Sequence, residues 1–504
     1  SNTVSKSRSK WALCVDLARP PTSMPSSPIA VFTTLVSAVA PPRVSRRVCV
    51  IGGGSGGVIA ARFLKRAGHK PKLFEAGTTF GGVWADDPTN DVVYKALTTN
   101  LPTVVMQSPD LDFEPGMPSY ITKPQLGRYI ERYAEEFGVV PISTLGARVT
   151  RVSQACGDSK ESISGPWEVA WTTSDGSTQT DTFDAVVVAN GHYEEPFIPT
   201  LPGEAEWLQG DPNGRKIVHS REYDEPEQFR GKSVLVVGGR SSGVDIARAL
   251  RGHAKWVYVL EKGCTEAVTH EGEAVTHVPL GTRLSSDGHL RMEGNEASMP
   301  GPPVDQVILA TGYVYSFPFL EEAALGMAFK GKRLVTPLYQ HLMHVEMPSL
   351  GFIGIPLAVP CPIPFFECQA AYLAEAWARP DDDDAQQLVS LGERQGWVSK
   401  RLSAVSSIGR EQDMHLTSAD GGNAWSYMRE LLHAVHKVHP PTAEGSSWLE
   451  RPNWEHRLET VESVYKDRGA RYPKKPWHDD AYRRCEYEVD WVKGTWSVDD
   501  RLAS

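Results

Sequence analysis

A short β-branched run, Arg47-Val48-Cys49-Val50-Ile51, leads without a spacer into Gly52-Gly53-Gly54-Ser55-Gly56-Gly57. Residues 58–67 then have helical composition, Gly68 closes them, and a second short strand over 72–74 runs into Glu75. No other stretch limits the fold as strongly. Gly52, Gly54 and Gly57 satisfy GxGxxG between a strand and a helix. The first permits a tight turn, the second lets backbone approach a pyrophosphate, and the third lets helix pack on sheet. The helix N-terminus offers unpaired N–H groups and a positive dipole end to the phosphates. Glu75 follows Gly52 by 23 residues, about where an acid meets a ribose hydroxyl. A bare GxGxxG is a weak sign, because glycine turns are common. Strand, helix and acid in one register make this a Rossmann-type dinucleotide site, with Gly53, Ser55 and Gly56 completing its loop.

The pattern recurs. Residues 233–237 read as a strand, Gly238-Gly239-Arg240-Ser241-Ser242-Gly243 as a second glycine loop, 244–251 as a helix, and 256–260 as a strand reaching Glu261-Lys262. Gly238 to Glu261 is again 23 residues. An internal repeat of this kind predicts an α/β chain with two dinucleotide sites. Gly238, Ser241, Ser242 and Gly243, with Asp245 in the helix, are expected at the second site. Arg240 stands where the middle glycine belongs, and either pushes the pyrophosphate outward or contacts it.

With 504 residues the chain has room for two or three domains. Its net charge of −10 gives no electrostatic footprint for nucleic acid. Seven scattered cysteines, with neither CxxC nor a zinc spacing, predict no metal site and suit a reducing compartment. No apolar run approaches the roughly 18–20 residues of a membrane helix. Residues 1–46 are acid-poor and rich in Ser, Pro and Arg. They suit a disordered leader or an organelle-targeting segment, and the expected location is cytoplasmic in the first case and organellar in the second. Residues 125–137 are an amphipathic helix, with Thr122 and Gln125 at capping-box spacing before it. Strands are expected over 167–173, 184–189, 307–313 and 348–354. Asp381–Asp384 is a solvated charge run, and the tail from Arg401 reads as helical with a loose, polar last stretch.

Further motifs cluster around the two loops: Gly82-Val83-Trp84, Thr99-Asn100-Leu101-Pro102, Asn190-Gly191-His192-Tyr193, His219-Ser220-Arg221-Glu222-Tyr223, Ala310-Thr311-Gly312-Tyr313 and Phe317-Pro318-Phe319-Leu320. Over residues 47 to about 432 the chain resembles the flavin-containing monooxygenases, closest to their soluble plant and fungal S- and N-oxygenating branch. The His219–Tyr223 segment is similar to the family's FxGxxxHxxxY motif. It departs from the motif in lacking the Phe, and its nearby glycine, Gly214, falls one residue early. Tyr223 rather than Trp argues against the Baeyer–Villiger relatives.

The resemblance implies an FAD domain in two parts, 47–215 and 305–504, interrupted by an NADP domain over 216–304. It implies that FAD lies on the first loop, Glu75 and Gly82-Val83-Trp84, and NADP on the second loop with Lys262, whose position many relatives fill with the Arg that pairs with the 2′-phosphate. Glu261 pulls the other way, towards NADH. Thr99, Asn100, Leu101, Thr311 and Gly312 are implied cofactor contacts, and Asn100 is the implied catalytic residue. His219 reads as structural. The implied chemistry is NADPH- and O2-dependent: reduced flavin traps oxygen as a C4a-hydroperoxide and oxygenates a soft nucleophile, a small-molecule thioether or amine. A homodimer is left open. Two rival readings are a disulfide reductase, which needs the absent CxxC, and a flavoprotein that acts as an NADPH oxidase or sensor without oxygenating a substrate.

Overall fold

The computed structural model describes residues 43–87, 92–94, 96–155, 166–380, 388–419, 421–472 and 479–500. The leader up to residue 42, Lys95, Cys14, Cys156 and the acidic run at 381–384 lie outside them. Residues 43–46, expected to belong to the leader, are already part of the fold. Val44 N–H donates to Ala378 O at 2.8 Å, and the buried Arg46 donates to Trp377 O at 2.8 Å.

The opening strand Arg47–Ile51 lies at the heart of a seven-stranded sheet. It pairs in parallel with Lys70–Phe74 on one side and Ala185–Val188 on the other; Leu350–Phe352 and Ser143–Thr144 continue the parallel core. Leu338–Tyr339 and Met343–His344 add an antiparallel edge. Val48, Cys49, Val50 and Ala185–Val188 are almost wholly buried, as expected of parallel strands covered on both faces. The helices Ser55–Arg66 and Pro362–Trp377 pack together over one face. The ion pair Arg62–Glu367 at 3.0 Å joins them, with Tyr133 OH and Trp448 Nε1 also donating to the Glu367 carboxylate. A three-stranded antiparallel layer, Ala147–Gln154, Trp167–Thr173 and Thr178–Phe183, covers the other face, its Trp171 and Phe183 packing on Phe74.

The second sheet is six-stranded, in the order Val268–His270, Val275–Val278, Trp256–Leu260, Ser233–Val237, Gln306–Leu309, Lys216–His219. Every strand is parallel to its neighbour except the edge strand Val268–His270. All of it comes from chain lying between Ala185–Val188 and Leu338–Tyr339 of the first sheet, so one unit is inserted into the other.

The second core and sheet draw in residues on either side of the expected 215/216 and 304/305 boundaries. Trp207 is fully buried in the second core beside Leu235, Tyr258 and Leu309, and the strand Gln306–Leu309 pairs with Ser233–Val237. Residues from Leu201 to Leu309 thus contribute to the second core or its sheet. The predicted helices are displaced by a few residues: that expected over 125–137 runs Lys123–Glu136, started by the Thr122–Gln125 capping box, and the second-loop helix begins at Ser241. The strand predicted for 348–354 is Leu350–Phe352, and that for 307–313 ends at Leu309.

The tail holds the helices Ala424–Val438 and Trp454–Arg471. Its last stretch is not loose: Glu486–Asp490 and Thr495–Asp499 form an antiparallel hairpin. The hairpin is fastened to the first unit by Glu486, which accepts from Ser119 N–H at 2.8 Å, and by Tyr487 N–H, which donates to Ser119 Oγ at 2.7 Å. Among the described residues no helix is long and apolar enough to cross a membrane.

Candidate active site

Each glycine loop starts where a central parallel strand ends. Gly52 has φ +108°, a region that favours glycine, and its N–H donates to Phe74 O at 2.8 Å. A Cβ there would lie 2.5 Å from Ala189 O, and a Cβ on Gly57 would lie 1.8 Å from Gly52 O. The second loop repeats this. A Cβ on Gly238 (φ +117°) would lie 2.4 Å from Ala310 O, and one on Gly243 1.8 Å from Gly238 O. The two ends of each motif are therefore glycine for the sake of the turn and of the helix–strand contact.

Gly54 differs from these. Its backbone is extended (φ −71°, ψ 178°), and a Cβ would make ordinary contact, 3.5 Å, with Gly82 Cα. A Cβ on Gly82 would come within 3.0 Å of Gly54 Cα. Gly81 N–H donates to Gly53 O at 3.0 Å, which lays Gly82–Trp84, a 3-10 turn containing Val83, against the first loop. Between Gly54 and Gly82 runs a narrow cradle that side chains would fill. The helix Ser55–Arg66 has no capping side chain and no acid in its first turn, so its N–H groups face this cradle without a protein acceptor from a cap. Glu75 accepts from Gly53 N–H at 2.5 Å and from Gly77 N–H at 2.6 Å. Each carboxylate oxygen keeps a second lone-pair site for a ribose hydroxyl. The cradle, the uncapped helix and this acid fit a dinucleotide.

At the second loop Arg240 is the N-cap and is exposed, and Ser241 and Ser242 open the helix Ser241–Leu250, which again lacks a side-chain cap and an acid in its first turn. Lys262 is exposed at the end of Trp256–Leu260. Glu261 pairs with His277 Nδ1 at 2.9 Å, a partner that the sequence offered no reason to choose.

The asparagine segment joins the first core to the second loop. Thr99 is buried; its N–H donates to Ile121 O at 2.8 Å and its Oγ1 accepts from Ile121 N–H at 3.1 Å. Leu101 packs on the first core. Between them Asn100 Nδ2 donates to Ser241 Oγ at 3.3 Å, so this amide stands at the head of the second-loop helix. Asp245, one turn further along, accepts from Tyr94 OH at 3.2 Å, from Arg483 Nη2 at 3.0 Å, and from Arg248. Tyr94, His277 and Arg483 carried no motif signal in the sequence.

Thr311 and Gly312 lie where the chain crosses back from the inserted unit. Thr311 Oγ1 donates to Phe197 O at 2.5 Å, and Gly312 O accepts from Phe197 N–H at 2.8 Å and from His219 Nε2 at 3.0 Å. Tyr313–Val314 pairs antiparallel with Glu195–Pro196, so both crossings form one ribbon. His219 Nδ1 accepts from Arg221 N–H, and burial lowers the imidazole pKa, which suits a neutral structural ring.

A family model described as flavin-binding monooxygenase-like matches residues 45–273. The flavin-containing monooxygenase FMO GS-OX-like 2 of Arabidopsis thaliana is 32% identical over 366 residues, covering 66% of this chain and 74% of that one. FMO GS-OX5 of the same plant is 31% identical over 359 residues, covering 66% and 74%. Among solved structures, S-allyl-L-cysteine S-oxygenase from Allium sativum superposes with a TM-score of 0.71 at 29% identity, covering 86% of this chain and 95% of that one. Tmm from Pelagibacter, at 21% identity and a TM-score of 0.64, shares the fold over 90% of this chain and 96% of its own. Two nucleotide cradles of the same build, one unit inserted into the other, and relatedness across three quarters of curated relatives leave one assignment: the chain belongs to the flavin-containing monooxygenases and is an FAD-dependent, NADPH-using monooxygenase.

Proposed function

We propose that this enzyme transfers one oxygen atom from O2 to the sulfur or nitrogen of a small thioether or amine. The observation that supports the reading is that Asn100 Nδ2 donates to Ser241 Oγ at 3.3 Å at the head of the second-loop helix while its neighbour Leu101 packs on the first core, a position suited to one preorganised donor. The S-allyl-L-cysteine S-oxygenase likeness favours sulfur.

In this reading Gly52 and Gly53 form the turn, the N–H groups of residues 54–57 bind the flavin pyrophosphate, and Glu75, held by the Gly53 N–H, accepts from its ribose. Gly82, Val83, Trp84, Thr99 and Leu101 wall the same cradle. Gly238, Ser241, Ser242 and Gly243 bind the nicotinamide nucleotide, Lys262 meets its 2′-phosphate, and Asp245 orients the helix that carries the loop. Thr311 and Gly312 shape the crossing between the two sites. Bound there, FAD reduced by NADPH supplies the activation of O2. The Asn100 Nδ2–H donates where negative charge develops. A sulfur or amine lone pair attacks without a general base, so the reading needs no catalytic triad.

The test is a substrate panel of thioethers, with S-allyl-L-cysteine among them, and tertiary amines. NADPH consumption, peroxide release and product mass are measured together. The expected result is substrate-dependent consumption with product one oxygen atom heavier. Peroxide matching NADPH across the whole panel would overturn oxygenation in favour of an NADPH oxidase.

A further inference from the structure

The C-terminal extension reaches across both nucleotide units. Residues 479–484 lie beyond the stretch matched by the family model and are followed directly by the hairpin anchored at Ser119. From this segment the Arg483 Nε donates to Thr99 O at 3.1 Å, on the first unit, while Nη2 lies 3.0 and 3.2 Å from the two carboxylate oxygens of Asp245, on the second. The ion pair is largely withdrawn from water, with side chains 11% and 14% exposed. Tyr94, again from the first unit, donates its hydroxyl to the same carboxylate at 3.2 Å, and Arg248 on the second-loop helix donates to Asp479 O at 3.4 Å. Tyr482 packs edge-on against Tyr120 with ring centroids 5.6 Å apart, which fixes the segment to the first unit next to its arginine.

The placement of these contacts matters more than their number. Thr99 immediately precedes Asn100, and Asp245 lies one helical turn beyond Ser241, so the Arg483 bridge runs beside the Asn100–Ser241 contact and spans the same gap. A guanidinium suits this work because its fork donates in two directions at once. Arg248 holds Asp245 from within its own helix, so removal of Arg483 does not leave a buried charge unpaired. Loss of the bridge therefore loosens the gap rather than the fold.

We infer that residues 479–484 form a strap and that Arg483 is a positioning residue, holding the second-loop helix at the distance from Asn100 at which NADPH reduces the flavin. This rests on the reading of the two loops as flavin and nicotinamide nucleotide sites. The strap acts through Asp245 and Thr99.

The test uses the FAD-loaded full chain carrying Arg483→Met, which keeps the stem against Tyr482 and removes the donors. Two readouts are taken. Hydrogen exchange without NADPH should be several-fold faster in residues 96–102 and 241–250 and unchanged in Arg47–Ile51. Flavin reduction at saturating NADPH should slow by about tenfold, the lower end of what a charge-assisted hydrogen bond is worth, with the KM for NADPH changing less. Either readout moving alone, or neither moving, overturns the inference. If Arg483→Met does not fold, Tyr94→Phe decides on the same two readouts. It removes one donor to Asp245, keeps the ring on Tyr223, and should slow reduction by about threefold. Because neither readout needs a product, failure to oxygenate any substrate would sink the proposed function and leave the strap to be judged separately.

Discussion

Replacing Gly54 by Val separates what the first loop does for the fold from what it does for the flavin. Gly54 already has an extended backbone that any residue adopts, and the nearest atom to an added Cβ is Gly82 Cα at 3.5 Å. The apoprotein should therefore lose only on the order of 1 kcal/mol, the scale of an unfavourable N-cap change. The new side chain instead fills the cradle. Two N–H donors to a phosphate, each worth roughly 1.5–3 kcal/mol when charge-assisted, would be lost, or roughly a 10²–10⁴-fold drop in FAD affinity. Wild-type protein with FAD at about 1,000 times its dissociation constant gains about 4.1 kcal/mol from binding, and the variant at the same FAD concentration should gain at most about 1.4 kcal/mol. The assay is the flavin-to-protein absorbance ratio after purification, followed by thermal unfolding with and without added FAD. Gly54→Val should be colourless, unfold like wild-type apoprotein, and respond little to FAD. Gly57→Ala is the contrast: a Cβ 1.8 Å from Gly52 O cannot be housed, so that variant should be unstable with or without cofactor. Yellow Gly54→Val protein with full flavin content would refute the assignment of the cradle. So would an apoprotein as damaged as Gly57→Ala.

Asn100→Ala should still be reduced by NADPH but form product on the order of 10²–10³ times more slowly, the usual cost of one preorganised donor, with peroxide released instead; unchanged coupling in an oxygen-electrode assay would exclude the role. Lys262→Ala should raise the KM for NADPH by about tenfold and leave that for NADH nearly unchanged, whereas equal loss with both would show that Lys262 does not read the phosphate. Glu261→Ala should sharpen the NADPH preference only slightly, since His277 already pairs with this carboxylate at 2.9 Å; a large shift in the ratio of the two KM values would mean that the pair opens on binding. Stability should fall on acidification between pH 6.5 and about 4. Burial holds His344 down at about 4 and His415 at about 3, against an ordinary 6.5, and His344 Nδ1 accepts from Glu346 and Met347 N–H, so the neutral ring is the one that fits. Within that window the unfolded chain takes up protons that the folded chain refuses. At pH 5 this amounts to about 2 kcal/mol per histidine, read as a lower urea midpoint than at pH 7; equal midpoints would contradict it.

Both glycine loops, their strands, helices and terminal acids were legible in the sequence because each is decided within about two dozen residues. Gly52 and Gly238 need a positive φ, Gly57 and Gly243 leave no room for a Cβ, and these are constraints of the local backbone. The capping box at Thr122 and the burial of residues 48–51 follow from equally local chemistry. What the sequence could not decide is which distant groups the packed chain brings together. Asp245 and Arg483 are 238 residues apart, and nothing in the composition around either one names the other. Glu261 is followed directly by Lys262 in the sequence. The parallel pairing of Trp256–Leu260 with Val275–Val278 sets His277 beside that strand, and Glu261 takes this buried partner in place of the exposed lysine. Trp207 and Gln306–Leu309 join the second core for the same reason, by the surface they bury and the strand they pair with. Backbone conformation and helix capping are short-range and are written in the chain; ion pairs, core membership and the distance between two nucleotide sites depend on how the sheets pack, and only the tertiary structure decides them.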